Sequence, residues 1–153
     1  MHMQVKTIQQ VYDWTVLFHT QMAANFHNVK DLLDEHNQML VEYYLQYEKK
    51  LAEDLVGFKA ITELNTLDTY CYEYFSDNPD LITFDDISTD QKIDEKAIQV
   101  YLTTQHQKVI DLYEYLVSRA ETAATIEKLE RLLELEHQGL KQMMQSSNRH
   151  MDM

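Results

Sequence analysis

Residues that break helices are almost absent from this chain. Glycine occurs twice and proline once among 153 residues. Sheet proteins turn many times, and their turns depend on both residue types. Apolar side chains instead recur at steps of three and four residues, the spacing of one helix face. The sequence therefore predicts an all-α protein of a few long helices, with the length of one domain.

The apolar periodicity predicts four long helices and one short helix, over approximately residues 1–33, 38–64, 67–75, 92–120 and 122–145. The polar run 34–37 separates the first two, and either Thr122 or Thr125 is expected to cap the last. Pro79 ends the short helix, because proline cannot continue a helix and disfavours it at the preceding residue. We expect residues 1–145 to form the domain and residues 146–153 a flexible tail.

The lengths of the connections predict the topology. Two of them are short, and short links join antiparallel neighbours. The acidic connection over residues 76 to about 91 is long enough to run the height of a bundle. The second and third long helices can then lie parallel, in a four-helix bundle with one long crossover.

Charge and cysteine content narrow the classes of partner and compartment. The net charge of −13 opposes binding to nucleic acid and to anionic membrane surfaces, which both need basic patches. No apolar run is long enough to span a membrane, and the first residues lack a signal-peptide pattern. Cys71 is the one cysteine, which fits a reducing compartment. We expect a cytoplasmic protein.

Each long helical stripe carries a polar or amphipathic residue near its centre, namely His19, Tyr47, Gln105 and His137. Glu134 precedes His137 by three residues and shares its helix face. His19, Glu134 and His137 together offer ligands for one Fe, Mn or Zn ion, with Tyr47 and Gln105 as auxiliary donors. Glu48, one residue beyond Tyr47, is a further auxiliary residue.

A metal-free interior is the alternative. Tyrosine, glutamine and imidazole groups can satisfy one another in a buried hydrogen-bond network without any ion. His106 lies off the predicted core stripe, and a surface position is expected for it.

The helical segments resemble the ferritin-like superfamily, and rubrerythrin in particular. In the second half of the chain the similarity lies in residues 110–113, 118–122 and 132–137, the last of which ends on Glu134-x-x-His137. In the first half it lies in Phe18-His19 and in residues 39–48. The resemblance implies a ferritin-like four-helix bundle with the long crossover between its second and third helices.

The resemblance also implies a di-metal site that this chain keeps only in part. In that family two helices supply a carboxylate each, and the other two supply a Glu-x-x-His motif each. Here Glu134 and His137 match the fourth-helix motif, but Tyr44 and Tyr47 replace the second-helix motif. The sequence thus favours a non-catalytic, degenerate relative that binds one metal ion. The alternative is a rubrerythrin-like oxidase or peroxide-scavenging enzyme.

An aromatic segment suggests a second kind of role. Tyr70, Tyr72, Tyr74 and Phe75 offer more apolar area than a short helix can bury, and tyrosine and phenylalanine are enriched at interface centres. We expect a homodimer. A structural bundle that binds a partner through this segment is the third functional class.

Overall fold

The computed structural model describes residues 7–67, 69 and 85–151, with the side chains of 147–151 excepted. Its long helices are α1, Ile8–Val29; α2, Glu35–Ala60; α4, Glu95–Arg119; and α5, Ala123–Met151. A single turn, α3, covers Leu64–Leu67. The described residues contain no strand, so the all-α prediction is confirmed. Within them, no helix is both long and apolar enough to cross a membrane.

Side-chain caps fix where the helices begin. Thr7 and Gln10 form a capping box, with the hydroxyl of Thr7 accepting from the Gln10 N–H at 3.3 Å. Asp34 caps α2 and Asp94 caps α4, and each carboxylate accepts from a backbone N–H at 2.8 Å. The hydroxyl of Thr122 accepts from the Thr125 N–H at 3.2 Å, which selects Thr122 over Thr125 as the cap of α5.

Several predicted boundaries are wrong. Helix α1 ends at Val29, and a 3₁₀ turn over Lys30–Leu32 replaces its predicted last turn. Helix α5 continues to Met151, past its predicted end at about residue 145. Ser146 donates a hydrogen bond to the Tyr43 hydroxyl at 2.9 Å, so α2 anchors this part of α5. The part of the short predicted helix beyond Leu67 falls largely outside the described residues.

The contacts between helices give the topology. Lys59 pairs with Asp13 at one end of α1 and α2, and Lys30 pairs with Glu42 at the other, so these helices are antiparallel. In contrast, His36 lies 3.4 Å from Glu95 near the start of both α2 and α4. The two helices also meet near their middles, so they run parallel, as the long crossover predicts.

The core fills the space between the four long helices. Within this core Trp14 stacks on Phe18, with ring centroids 5.8 Å apart. The inward stripe predicted for α4 is buried from Ile98 to Leu116, and most of the stripe predicted for α1 is buried too. These stripes also place polar side chains in the interior, among the buried aromatic side chains.

Candidate metal centre

Four ionisable side chains meet in the middle of the bundle, one from each long helix. They are His19 of α1, Glu48 of α2, His106 of α4 and Glu136 of α5. His19, Glu48 and His106 are 0% exposed and Glu136 is 1% exposed. Buried charges are rare unless they are paired, so this interior layer is unusual in a helical core. We call these four residues the His–Glu ring.

The ring is closed by contacts between imidazole nitrogens and carboxylate oxygens. His19 Nδ1 lies 3.3 Å from Glu48 Oε2, and His19 Nε2 lies 2.5 Å from Glu136 Oε1. His106 Nδ1 lies 3.2 Å from Glu136 Oε2, and its Nε2 lies 2.5 Å from Glu48 Oε1. Every imidazole nitrogen therefore has a carboxylate partner, and each carboxylate contacts both imidazoles.

The two halves of the chain contribute to the ring in the same way. His19 and Glu48 are 29 residues apart on α1 and α2, and His106 and Glu136 are 30 apart on α4 and α5. In both halves, Nδ1 contacts the glutamate of its own half and Nε2 contacts the glutamate of the other. The ring thus has approximate two-fold symmetry and joins the halves twice.

Mutual attraction sets the charge of the ring. Burial alone lowers the pKa of each imidazole, but the two carboxylates outweigh it and raise the pKa of His19 to about 10 and that of His106 to about 9. Burial raises the pKa of each glutamate, and the imidazolium charges outweigh it. The pKa of Glu136 falls to about 2, and that of Glu48 is also lowered. Without a metal, the ring holds two positive and two negative charges.

Phe18 covers the two imidazoles. Its ring meets those of His19 and His106 edge to face, at centroid distances of 5.1 and 5.6 Å. The two imidazole centroids are themselves 5.3 Å apart. An apolar cover of this kind keeps water from the ring, which strengthens every electrostatic interaction within it.

The predicted ligands on α5 do not reach this site. Glu134 and His137 are exposed, so the prediction that they face the interior is wrong. The buried face of α5 instead carries Leu129, Leu132, Glu136 and Met143, about one residue away from the predicted stripe. Successive residues differ by 100° around a helix. When the buried face is displaced by one residue, Glu134 and His137 turn towards solvent and Glu136 turns towards the interior.

The other predicted residues have mixed outcomes. His19 lies in the ring, and so does Glu48, which the sequence suggested only as an auxiliary residue. Tyr47 is half-buried, with its ring centroid 6.1 Å from that of Tyr43, while Gln105 is buried next to His106 in the chain. His106 is fully buried, so its predicted surface position is wrong. The interface residues Tyr70, Tyr72, Tyr74 and Phe75 lie outside the described residues.

The donor set of the ring suits a transition metal. His19, His106 and Glu136 each offer one ligand atom, and these atoms lie within 4.8 Å of one another. Glu48 contacts both of the imidazoles in that group. Imidazole with carboxylate is a donor set that Zn, Mn and Fe ions accept. Among the described residues, the buried His–Glu group could hold a metal ion.

A two-metal centre of the family type does not fit these residues. That centre needs a histidine three residues after the glutamate on each of two helices. Three residues after Glu48 stands Leu51, and three residues after Glu136 stands Gly139. A Cβ on Gly139 would lie 3.1 Å from Leu51 Cδ2, so leucine fills the space beside this glycine. Apolar packing occupies the positions where further ligands would be required.

The fold is a four-helix bundle with one long crossover, and its interior contains a layer of buried polar side chains. Its architecture is similar to that of a solved protein from Thermotoga maritima, provisionally described as a ferritin-like diiron-carboxylate protein. The similarity covers 96% of both chains with a TM-score of 0.57, at 12% sequence identity. This likeness shows the fold. No family model matches the chain, and no curated protein matches it by sequence.

Proposed function

We propose that this protein is a non-catalytic ferritin-like bundle that binds one transition-metal ion in its interior. The observation that supports the proposal is the convergence of four buried donor residues from four helices on one point. His19, His106 and Glu136 would be the ligands, and Glu48 would be the fourth. A bound ion would act chiefly as a cross-link between the helices, and would add Lewis acidity at that point.

The metal has to compete with protons for this site. Imidazoles bind metals only in the neutral form, so His19 and His106 would each release a proton on binding. Two carboxylates would then offset the charge of a divalent ion. The ring therefore stays close to neutral in both states, which suits a fully buried position.

Among the described residues, the donor set at the ring favours this role over that of a rubrerythrin-like oxidase. A bridged pair of metals needs several carboxylates, and the ring supplies two. Leu51 and Gly139 stand at the two family histidine positions, as described above.

A zinc titration tests the proposal. Chelator-treated protein is titrated with Zn²⁺ and followed by calorimetry, alongside His106→Ala and His137→Ala. His137 is exposed and offers a control of the same residue type. We expect one ion per chain in the wild type and in His137→Ala, and at least tenfold weaker binding in His106→Ala.

Two results would contradict the proposal. Binding of two ions per chain, both lost in His106→Ala, would indicate a two-metal centre. No binding to the wild type, or equal binding to all three proteins, would leave the ring as a metal-free ion-pair network.

A further inference from the structure

A cavity that is separate from the ring lies near the end of α2. It has a volume of about 290 Å³ and opens between α1, the end of α2 and α5. Its apolar lining includes Tyr12, Phe58, Leu132 and Leu135. None of the four ring residues lines it. This volume is at the lower end of the range of small-molecule pockets, about 300–1,000 Å³.

On its α5 side the cavity carries two cations and the carboxylate of Glu134. Lys128 and Arg131 of α5 both line it, and their spacing of three residues places them on one helix face. Within the described part of the chain, neither has a carboxylate oxygen within 4.0 Å.

The remaining polar lining groups already have partners. Tyr12 Oη and Thr62 Oγ1 share a hydrogen bond at 3.2 Å. Glu134 also lines the cavity, and its Oε1 accepts from Gln138 Nε2 at 3.1 Å. A ligand with an apolar body and an anionic head group would therefore place its body against the apolar lining and its head group at Lys128 and Arg131.

We propose that this cavity binds a small amphipathic carboxylate, with its apolar body against Tyr12, Phe58 and Leu135 and its carboxylate at Arg131 and Lys128. Arginine can hold a carboxylate by two parallel hydrogen bonds, and such charge-assisted bonds are about twice as strong as neutral ones. The proposal is independent of the metal proposed for the ring.

Calorimetry with decanoate tests the proposal, at concentrations below those that form micelles. Decanol is the neutral comparison of equal chain length. We expect one decanoate per chain, and binding at least tenfold weaker for decanol and for decanoate with Arg131→Gln. Lys141→Gln is the matched control, because Lys141 is an exposed cation on the same helix that does not line the cavity. It should bind decanoate like the wild type.

Three results would overturn the proposal. One is no binding of decanoate to the wild type. Another is equal affinity of the wild type and Arg131→Gln, or an equal loss in Lys141→Gln. The third is a cavity closed by a second copy of the chain, shown by a dimer in light scattering that Ile61→Asp dissociates and to which decanoate does not bind. Ile61 is 72% exposed and lines the cavity, so Ile61→Asp tests directly whether a second copy of the chain covers it.

Discussion

At the scale of single residues, the ring depends on the balance of two cations against two anions. His106 is in contact with both glutamates, so His106→Ala leaves two buried carboxylates with one partner. Removing one member of a buried ion pair costs about 3–5 kcal/mol, because the remaining charge stays buried. We expect a loss of that size in the free energy of unfolding of the metal-free protein, measured in urea.

His137→Ala provides the comparison for this prediction. The exposed His137 should change the free energy of unfolding by no more than about 0.5 kcal/mol. Similar small effects of the two substitutions would show that the ring contributes little to stability.

The same charges predict how stability depends on pH in the metal-free protein. The glutamates have a lowered pKa, so their contribution is complete above pH 4.5 and is lost as the pH falls towards about 2. The histidines have a raised pKa, so their contribution is complete below pH 6.5 and is lost as the pH rises through about 9 to 10. The contribution of the ring is therefore greatest between pH 4.5 and 6.5.

Thermal unfolding in a series of buffers measures this profile. A variant with leucine at all four ring positions keeps the surface charges. Its melting temperature should fall less steeply above pH 6.5 than that of the wild type. If wild type and variant decline in parallel, the ring is not the origin of the pH dependence.

At the scale of helices, the two glycines test how closely α2 and α5 approach. Gly57 lies within α2 with open space around its Cβ position, so Gly57→Ala should raise the free energy of unfolding by about 0.5–1 kcal/mol. On α5, a Cβ at position 139 would lie 3.1 and 3.2 Å from the two terminal carbons of the buried Leu51. Overpacking of this kind costs about 1–3 kcal/mol, which exceeds the gain in helix propensity.

Urea unfolding of the two alanine variants checks this expectation. Gly57→Ala should be more stable than Gly139→Ala by at least about 1 kcal/mol. Equal stabilisation by both substitutions would show that Leu51 moves freely and that this approach of the helices is not close.

Helix periodicity predicted α1 and α4 better than α2 and α5. In α1 the apolar stripe is unambiguous, and it places His19 correctly. In α5 Leu132, Leu133, Leu135 and Leu140 leave two neighbouring faces nearly equally apolar. Packing against the other helices determines which of these faces is buried, and the buried face is the one that carries Glu136. An isolated helix does not contain that information.

Two sequence signals for the ring were available. His106 continues the apolar series Leu102, Val109 and Tyr113 at helical steps, which indicates burial as clearly as the position of Gln105 does. Gly139 also lies on the same face as Glu136, and glycine within a helix often marks close packing. The burial of Glu48 and Glu136 could not be predicted from the sequence, because a glutamate is rarely buried without a partner.

At the scale of the whole molecule, the ring relates the two halves of the bundle. Each half is a pair of antiparallel helices, and each contributes one imidazole and one carboxylate at nearly the same separation. The crossover between α2 and α4 makes those helices parallel, which brings Glu48 to His106. The connection lengths predicted this topology. The identities of the ring residues could be read only from the packed structure. The homodimer stays a prediction, since its proposed interface lies outside the described residues.

The most direct test is the metal content of the protein purified without chelator and without a metal-affinity step. Elemental analysis of the wild type should give close to one equivalent of a transition metal per chain. His106→Ala should lose it, while His137→Ala should retain it. A wild type that contains no transition metal and takes none up on incubation with Fe²⁺, Mn²⁺ or Zn²⁺ would contradict the account, and the His–Glu ring would then be a structural ion-pair network.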